Sequence, residues 1–235
     1  MIFKLLSNIP VYIYAMGNKK PDLGTSSYFS IIIPTYNRKE ILTRALNSLI
    51  AQTEKDWEAI IVDDGSDDDT LAHISSYLEK DKRIRYLHQE HSGAALAKNK
   101  GIAAARGKFL TFLDSDDEYH CIHLESRKAV LIKNTAVRFL YGGIKIVGNH
   151  YVPDRFDTDK KIHLDECVIG GTFFIERNLL VSLDGFKNIV IGEDAELFDR
   201  LKAVKTIMLK TENPTYVYRH DREDSVTNKI MMDLK

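Results

Sequence analysis

Two short stretches of this 235-residue chain are crowded with acid: Asp63, Asp64, Asp67, Asp68 and Asp69 in one, Asp114, Asp116, Asp117 and Glu118 in the other. Carboxylates this close repel one another unless water or a cation intervenes. Hard cations such as Mg2+ and Mn2+ take oxygen ligands, and often only one or two protein carboxylates beside phosphate oxygens. The Asp114-Ser115-Asp116-Asp117 cluster suits that chemistry, its first carboxylate turned to a ribose hydroxyl and its second to the metal. The same residues also read as a solvated acidic loop capping a helix. Asp64, in Asp63-Asp64-Gly65-Ser66, can accept the imino N–H of a uracil ring or hold a ribose, with Gly65 allowing close backbone approach. The plainer reading is a turn in which Ser66 is an N-cap and Asp67 to Asp69 favour the helix dipole. Tyr36, after Pro34-Thr35, offers a face to a nucleobase or is a tyrosine of the core or rim.

Such groups need a scaffold that brings them to one rim. Residues 29–33 form a continuous apolar, β-branched run closed by Pro34, which describes a buried strand. Ile41, Leu42, Ala45, Leu46, Leu49 and Ile50 then recur at helical spacing, with Asn37 as the expected N-cap and Glu40 three residues on. The alternation repeats: a strand at 57–62, a helix carrying Leu71, Ile74, Tyr77 and Leu78, a strand at 84–87, a helix at 94–105 and a strand at 109–113. Strand-helix alternation with apolar strands predicts a mostly parallel α/β sheet covered on both faces. Ligands of such sheets sit beyond the carboxyl ends of the strands, where Tyr36, Asp64 and Asp114 to Asp117 fall. After Glu118 the pattern loosens. Strands are expected at 136–141 and 144–147, joined as a hairpin across Gly142-Gly143, and at 172–175, 206–209 and 216–219, with a helix at 193–201.

The bulk composition is that of a soluble globular chain, 44% hydrophobic and 29% charged. A net charge of −1 gives no excess of cations for nucleic acid. The two cysteines, Cys121 and Cys167, lack metal-ligand spacing and fit a reducing compartment. No apolar run approaches the roughly 20 residues that span a bilayer. Residues 1–16 are apolar but broken by Lys4, Ser7, Asn8 and Pro10, a poor signal peptide. They read as an extension, or upstream codons before a start at Met16, or an interfacial membrane contact. Residues 18–27 read as a linker.

Taken in order, Ile31-Ile32-Ile33-Pro34-Thr35-Tyr36-Asn37-Arg38, Val62-Asp63-Asp64-Gly65-Ser66 and Leu113-Asp114-Ser115-Asp116-Asp117 resemble family 2 of the GT-A glycosyltransferases. Gly185-Phe186 and Gly192-Glu193-Asp194, with Leu197 and Arg200, extend the likeness, which runs from about Phe29 to about Ser225. The resemblance implies a GT-A fold: the parallel sheet plus a smaller mixed acceptor-side region. It implies an inverting glycosyltransferase that uses a nucleoside-diphosphate sugar, commonly a UDP-sugar, with Mn2+ or Mg2+. Residues 1–28 would be an extension and linker, 29–118 the nucleotide-sugar half, and 119–235 the acceptor and catalytic-base half of the same domain.

By similarity, Pro34, Tyr36 and Asp64 surround the nucleobase, Asp114 sits near the ribose, Asp116 is the principal metal ligand and Asp194 the catalytic base. Sugar transfer does need a base for the acceptor proton and a cation for the departing diphosphate. Glu193-Asp194 also reads as a charged helix start. The tail from Tyr218 to Ser225 resembles a loop that folds over the diphosphate, bringing His220 to the metal or Arg222 to the phosphates. Lys98-Asn99 stands where the family often has Arg-Asn, which keeps the cation and loses the bidentate fork. The expected acceptor is a glycan or lipid-linked sugar, and the expected place the cytoplasm, with peripheral contact at the inner face of a membrane. A silent sugar-nucleotide-binding protein is the alternative. A nucleotidyltransferase is disfavoured, since Pro34-Thr35-Tyr36-Asn37 is no glycine-rich triphosphate loop.

Overall fold

A computed structural model describes residues 27–154, 156–157, 159–189 and 191–221. The readings made for residues 1–26 and for Arg222 lie outside the described residues. The first half alternates as expected: β1 (Phe29–Thr35), α1 (Lys39–Ile50), β2 (Trp57–Asp63), α2 (Thr70–Lys80), β3 (Ile84–His88), α3 (Ala94–Ala104) and β4 (Phe109–Phe112). These four strands are parallel, with β1 between β2 and β4. Every residue of β2 is buried, so its sequence has no need to alternate. Ile31 and Ile33 pack with Leu42, Leu46 and Leu49 on one face, while Ile32 and Ile60 pack with Ala97 and Ile102 on the other. Gly101 lets α3 lie close, since a Cβ there would come within 2.4 Å of Ile32. Sheet pairing reaches two residues into the expected linker: Ser27 and Tyr28 already accept from the amides of Lys108 and Phe109.

The second half comprises β5 (Glu118–Tyr119), α4 (His123–Lys133), β6 (Phe139–Tyr141), β7 (Ile144–Gly148), β8 (Tyr151–Pro153), β9 (Lys161–His163), β10 (Phe174–Glu176), α5 (Arg177–Ser182), α6 (Glu193–Ala203), β11 (Met208–Lys210) and β12 (Tyr216–His220). The large sheet runs β11-β6-β10-β4-β1-β2-β3, mostly parallel, with β10 antiparallel to both of its neighbours. A smaller mixed sheet, β5-β12-β7, carries the rim of the site, and β8 and β9 form a separate antiparallel pair.

Four expectations are corrected. β6 and β7 are not a hairpin: Gly142-Gly143 passes the chain from the large sheet to the small one. Pro34 does not end β1, because β4 has turned away beyond its pairing with Ile32, and the missing N–H leaves no ladder bond unmade. Neither expected N-cap caps its own helix. Asn37 instead accepts from the Asp67 amide, Ser66 Oγ accepts from the Asn37 amide, and Asp68 reaches across to accept from the Lys39 amide that opens α1. The loops after β1 and β2 are thereby laced together.

Candidate active site

The carboxyl ends of β1, β2 and β4 form one rim, and the start of α6 faces it. A cavity of about 730 Å³ opens there, and Lys98, Asp114, Asp116 and Asp194 all line it. These side chains come from α3, the loop after β4 and the first turn of α6, segments separated by up to 96 residues.

Asp194 is held from two sides. Its Oδ2 accepts from the Gly170 amide at 2.8 Å, and Lys98 Nζ lies 3.5 Å from Oδ1. The same ammonium is 3.2 Å from Glu193 Oε1. Burial pushes the Asp194 carboxyl above the usual carboxylate range against the pull of Lys98. Burial opposes the charge on Lys98, but Asp194, Glu193 and Asp114 outweigh it and keep the ammonium charged. Glu193 stays below its ordinary value: burial opposes its ionisation, and Lys98 with its own backbone amide overcomes that.

Burial pushes the Asp114 carboxyl up to about 6; Lys98 resists, while Asp116, Asp194 and Glu193 add to the rise. Among the described residues no protein group donates a hydrogen bond to the Asp114 carboxylate. Asp116 is anchored instead, its Oδ2 2.9 Å from Arg38 Nη1 and its carbonyl 2.5 Å from Arg44 Nη2. Asp117 is structural. It accepts from Tyr216 Oη at 2.6 Å and the Arg219 amide at 2.7 Å, tying the acidic loop to β12. Asp63 is structural too, accepting from the Ser66 amide and Tyr86 Oη.

Among the described residues no three His, Cys, Asp or Glu side chains converge as a cage for a metal ion. The donor set fits a hard cation of the other kind, one completed by phosphate oxygens and water. Asp114 is the group that points to it: a partly buried carboxylate, repelled by neighbouring acids and without a donor of its own. His220 is outside the lining of this cavity. It is buried at the end of β12, and its Nδ1–H donates to the Asn149 carbonyl at 2.9 Å, closing the turn after β7.

Pro34, Tyr36 and Asp64 lie on the same rim but outside the cavity lining. Tyr36 is 41% exposed, and the imidazole of His91 stacks on it at 4.0 Å. The Asp64 carboxylate accepts from Gln89 Nε2 and the Ser92 and Gly93 amides, while His91 Nδ1 lies 3.1 Å from the Asp64 backbone carbonyl and 2.9 Å from Oδ2. Three donors occupy three of the roughly four acceptor positions of a carboxylate, which leaves one for an incoming N–H beside the half-exposed imidazole of His91.

Sequence reasoning missed three supporting residues. Arg38 stood in the quoted motif without a role. Asn99 clasps the backbone of Phe186 through both its amide oxygen and its nitrogen. Gly170 holds Asp194, and the Gly170-Gly171 doublet was the only sign of it.

Residues 30–179 match the sequence model of the family described as Glycosyl transferase family 2. Over 157 residues the chain is 35% identical to an Escherichia coli protein named UDP-Glc:alpha-D-GlcNAc-diphosphoundecaprenol beta-1,3-glucosyltransferase WfgD; the match covers 64% of this chain and 61% of that one. Residues 1–349 of Staphylococcus aureus TarS, solved with UDP-GlcNAc, superpose with a TM-score of 0.68 at 23% identity, over 84% of this chain and 60% of that one. A Pyrobaculum calidifontis mannosyltransferase solved with GDP-Man and Mn2+ gives 0.65 at 17% identity, over 89% and 60%. The chain thus spans about 60% of the length of these proteins.

Proposed function

The chain belongs to glycosyl transferase family 2 and has the GT-A fold, and from that premise we propose that it transfers a sugar from a UDP-sugar to a hydroxyl of a glycan or lipid-linked acceptor, inverting the anomeric carbon. The observation that carries this reading is the convergence of Asp194, Lys98, Asp114 and Asp116 on one cavity. A donor sugar held over Asp114 and Asp116 leaves its anomeric carbon open toward Asp194.

In the proposed step the acceptor oxygen forms its bond to the anomeric carbon as the bond to the diphosphate oxygen breaks. Asp194 takes the hydroxyl proton. A carboxylate raised above its ordinary pKa is the better base, and the Gly170 amide fixes which oxygen turns inward. Mn2+ or Mg2+ on Asp116, with Asp114 beside it, would supply charge neutralisation for the departing diphosphate. Lys98 keeps the cluster of acids from repelling that diphosphate outright. Tyr36 and Asp64, with Pro34 behind them, would take the uracil once His91 swings off the tyrosine. Arg222 is assigned to the phosphates by resemblance alone.

The UDP preference leans on the UDP-Glc in the name of the Escherichia coli relative and on the UDP-GlcNAc in the TarS structure. The same relative's acceptor is lipid-linked, which supports peripheral action at the inner face of a membrane. Among the described residues no helix is long and apolar enough to cross one.

Asp194→Asn and Asp116→Ala test the assignment. Asp194→Asn should bind UDP with unchanged affinity by calorimetry while transfer falls by about 10²- to 10⁴-fold. Asp116→Ala should lose metal-dependent binding of the donor. Normal transfer by Asp194→Asn would remove Asp194 from the role of base.

A further inference from the structure

One side chain covers two recognition surfaces of the proposed donor site. The ring of Tyr36 carries the His91 imidazole at 4.0 Å, with 19° between the two planes. The Asp64 side chain is only 4% exposed, and the acceptor position left open by Gln89, Ser92 and Gly93 is the one His91 Nδ1 faces, 2.9 Å from Oδ2. The same nitrogen is 3.1 Å from the Asp64 carbonyl. A carbonyl and a carboxylate are acceptors only, so Nδ1 carries the hydrogen. A flat ring on Tyr36 with an N–H turned into Asp64 is also the pair of contacts that a uracil would make through its own ring and N3–H. His91 is thus an internal copy of the base.

The local fold fixes the backbone of this copy and leaves its ring free to go. The Gln89 amide donates to the Asp63 carbonyl, and the Ser92 and Gly93 amides donate to the Asp64 carboxylate, so the chain is pinned on both sides of His91. Gly65, at φ +83°, admits the His91 backbone so closely that a Cβ there would stand 2.7 Å from its nitrogen. The His91 side chain itself is 55% exposed, and rotation about its own χ angles carries the ring into water without moving the loop. We propose that His91 is a self-inhibitory plug of the nucleobase site: in the free protein it holds the place of the base, and the donor binds only from the minor state in which the ring has swung out. This rests on Tyr36 and Asp64 being the base-binding pair. The apparent affinity for the donor is then the intrinsic one reduced by the fraction of protein with the ring out. That penalty belongs to the base alone, so every ligand that carries uracil bears it and a sugar phosphate without a base does not.

Uridine, UMP, UDP and ribose 5-phosphate are titrated calorimetrically, with Mn2+ throughout, into the full chain and into His91→Ala. The variant should bind the three uracil ligands tighter by one common factor, about five- to thirtyfold for a ring stack and one exposed hydrogen bond. Ribose 5-phosphate should bind both proteins alike. A second measurement needs no variant of His91. In NMR spectra of the wild type its Cε1–H resonance should lie upfield over the Tyr36 ring, and saturating UDP should release it, as Tyr36→Ala should in the free protein. Equal or weaker binding of the uracil ligands by His91→Ala overturns the proposal, and so does a His91 resonance that UDP leaves in place. A gain shared by ribose 5-phosphate overturns it too, since the ring would then obstruct more than the base. If neither protein binds UDP, the nucleotide-sugar reading fails and the plug with it. If both bind UDP equally, that reading stands and the plug alone falls.

Discussion

Asp194 shows how little separates a poised carboxylate from a misplaced one. A Cβ on Gly170 would stand 2.2 to 2.5 Å from the atoms of its carboxyl group. The backbone at Gly170 is open to alanine, its φ lying outside the left-handed region, so Gly170→Ala acts through that contact alone. With Asp194 as the proposed base, transfer should fall about 100-fold, the usual consequence of moving a reacting group by an ångström, with UDP affinity unchanged. Equal rates in the two proteins would show that Gly170 does not position the base. Asp114, in the proposed role, illustrates the cost of a binding site. Its carboxyl is raised to about 6 from an ordinary 3.8, so the folded state holds a proton that the unfolded chain has already lost. The stability from this group is therefore present below about pH 4 and is lost as pH rises to about 6. Asp114→Asn in EDTA should gain up to about 3 kcal/mol in urea unfolding at pH 8 and nothing at pH 4. A loss of stability at pH 8 would refute the account.

Between elements the opposite sign appears. His123 opens α4 fully buried, with Nδ1 2.8 Å from Thr215 Oγ1 ahead of β12 and its ring 4.1 Å from that of Tyr119. Burial, then Arg127 and His120, hold it well below the usual imidazole pKa. The unfolded chain takes up this proton near pH 6.5 and the fold refuses it, so stability falls as pH drops below that value. His123→Phe keeps the ring stacking, and its stability relative to wild type should improve between pH 8 and pH 5.5. A constant difference would mean that His123 is not the titrating group. This helix was also hidden in the sequence, as were the short β5, β8, β9 and α5. Its buried positions, His123, Leu124, Arg127 and Leu131, have helical spacing, but two of the four are basic types that an apolar pattern passes over. Arg127 is there to donate to the carbonyls of Gly142 and Asn213, which fixes the passage from β6 to β7. The first-half helices were legible because their buried stripes are aliphatic, as in Leu42, Ala45, Leu46 and Leu49. Their caps were not legible, since Asp68 caps a helix about thirty residues away.

At the scale of the whole molecule, a three-residue strand decides whether there is a site. β10 enters antiparallel between β4 and β6, and the chain just before it carries Gly170 to the Asp194 carboxylate. Nothing in a period of two distinguishes a parallel strand from an antiparallel one, so the acids could be recognised in sequence while the contact that positions them could not. The resulting cavity presents Asp114 and Asp116 without a third acidic or imidazole ligand among the described residues. Such a pair binds a cation weakly by itself, and a diphosphate near these acids is repelled by itself. Each should therefore need the other. In thermal unfolding, Mn2+ alone and UDP alone should each raise Tm slightly, and the two together should raise it by more than the sum, because only the ternary complex completes the coordination. Asp116→Ala should abolish the surplus and keep the small shift from UDP, since Tyr36 and Asp64 stand apart from the cavity that the metal would share. Strictly additive shifts in the wild type would mean that no cation is held jointly by protein and nucleotide. The acidic rim would then be a solvated loop, and neutralising the leaving diphosphate would fall to the cations that line the cavity, Lys98, Lys202 and Arg219.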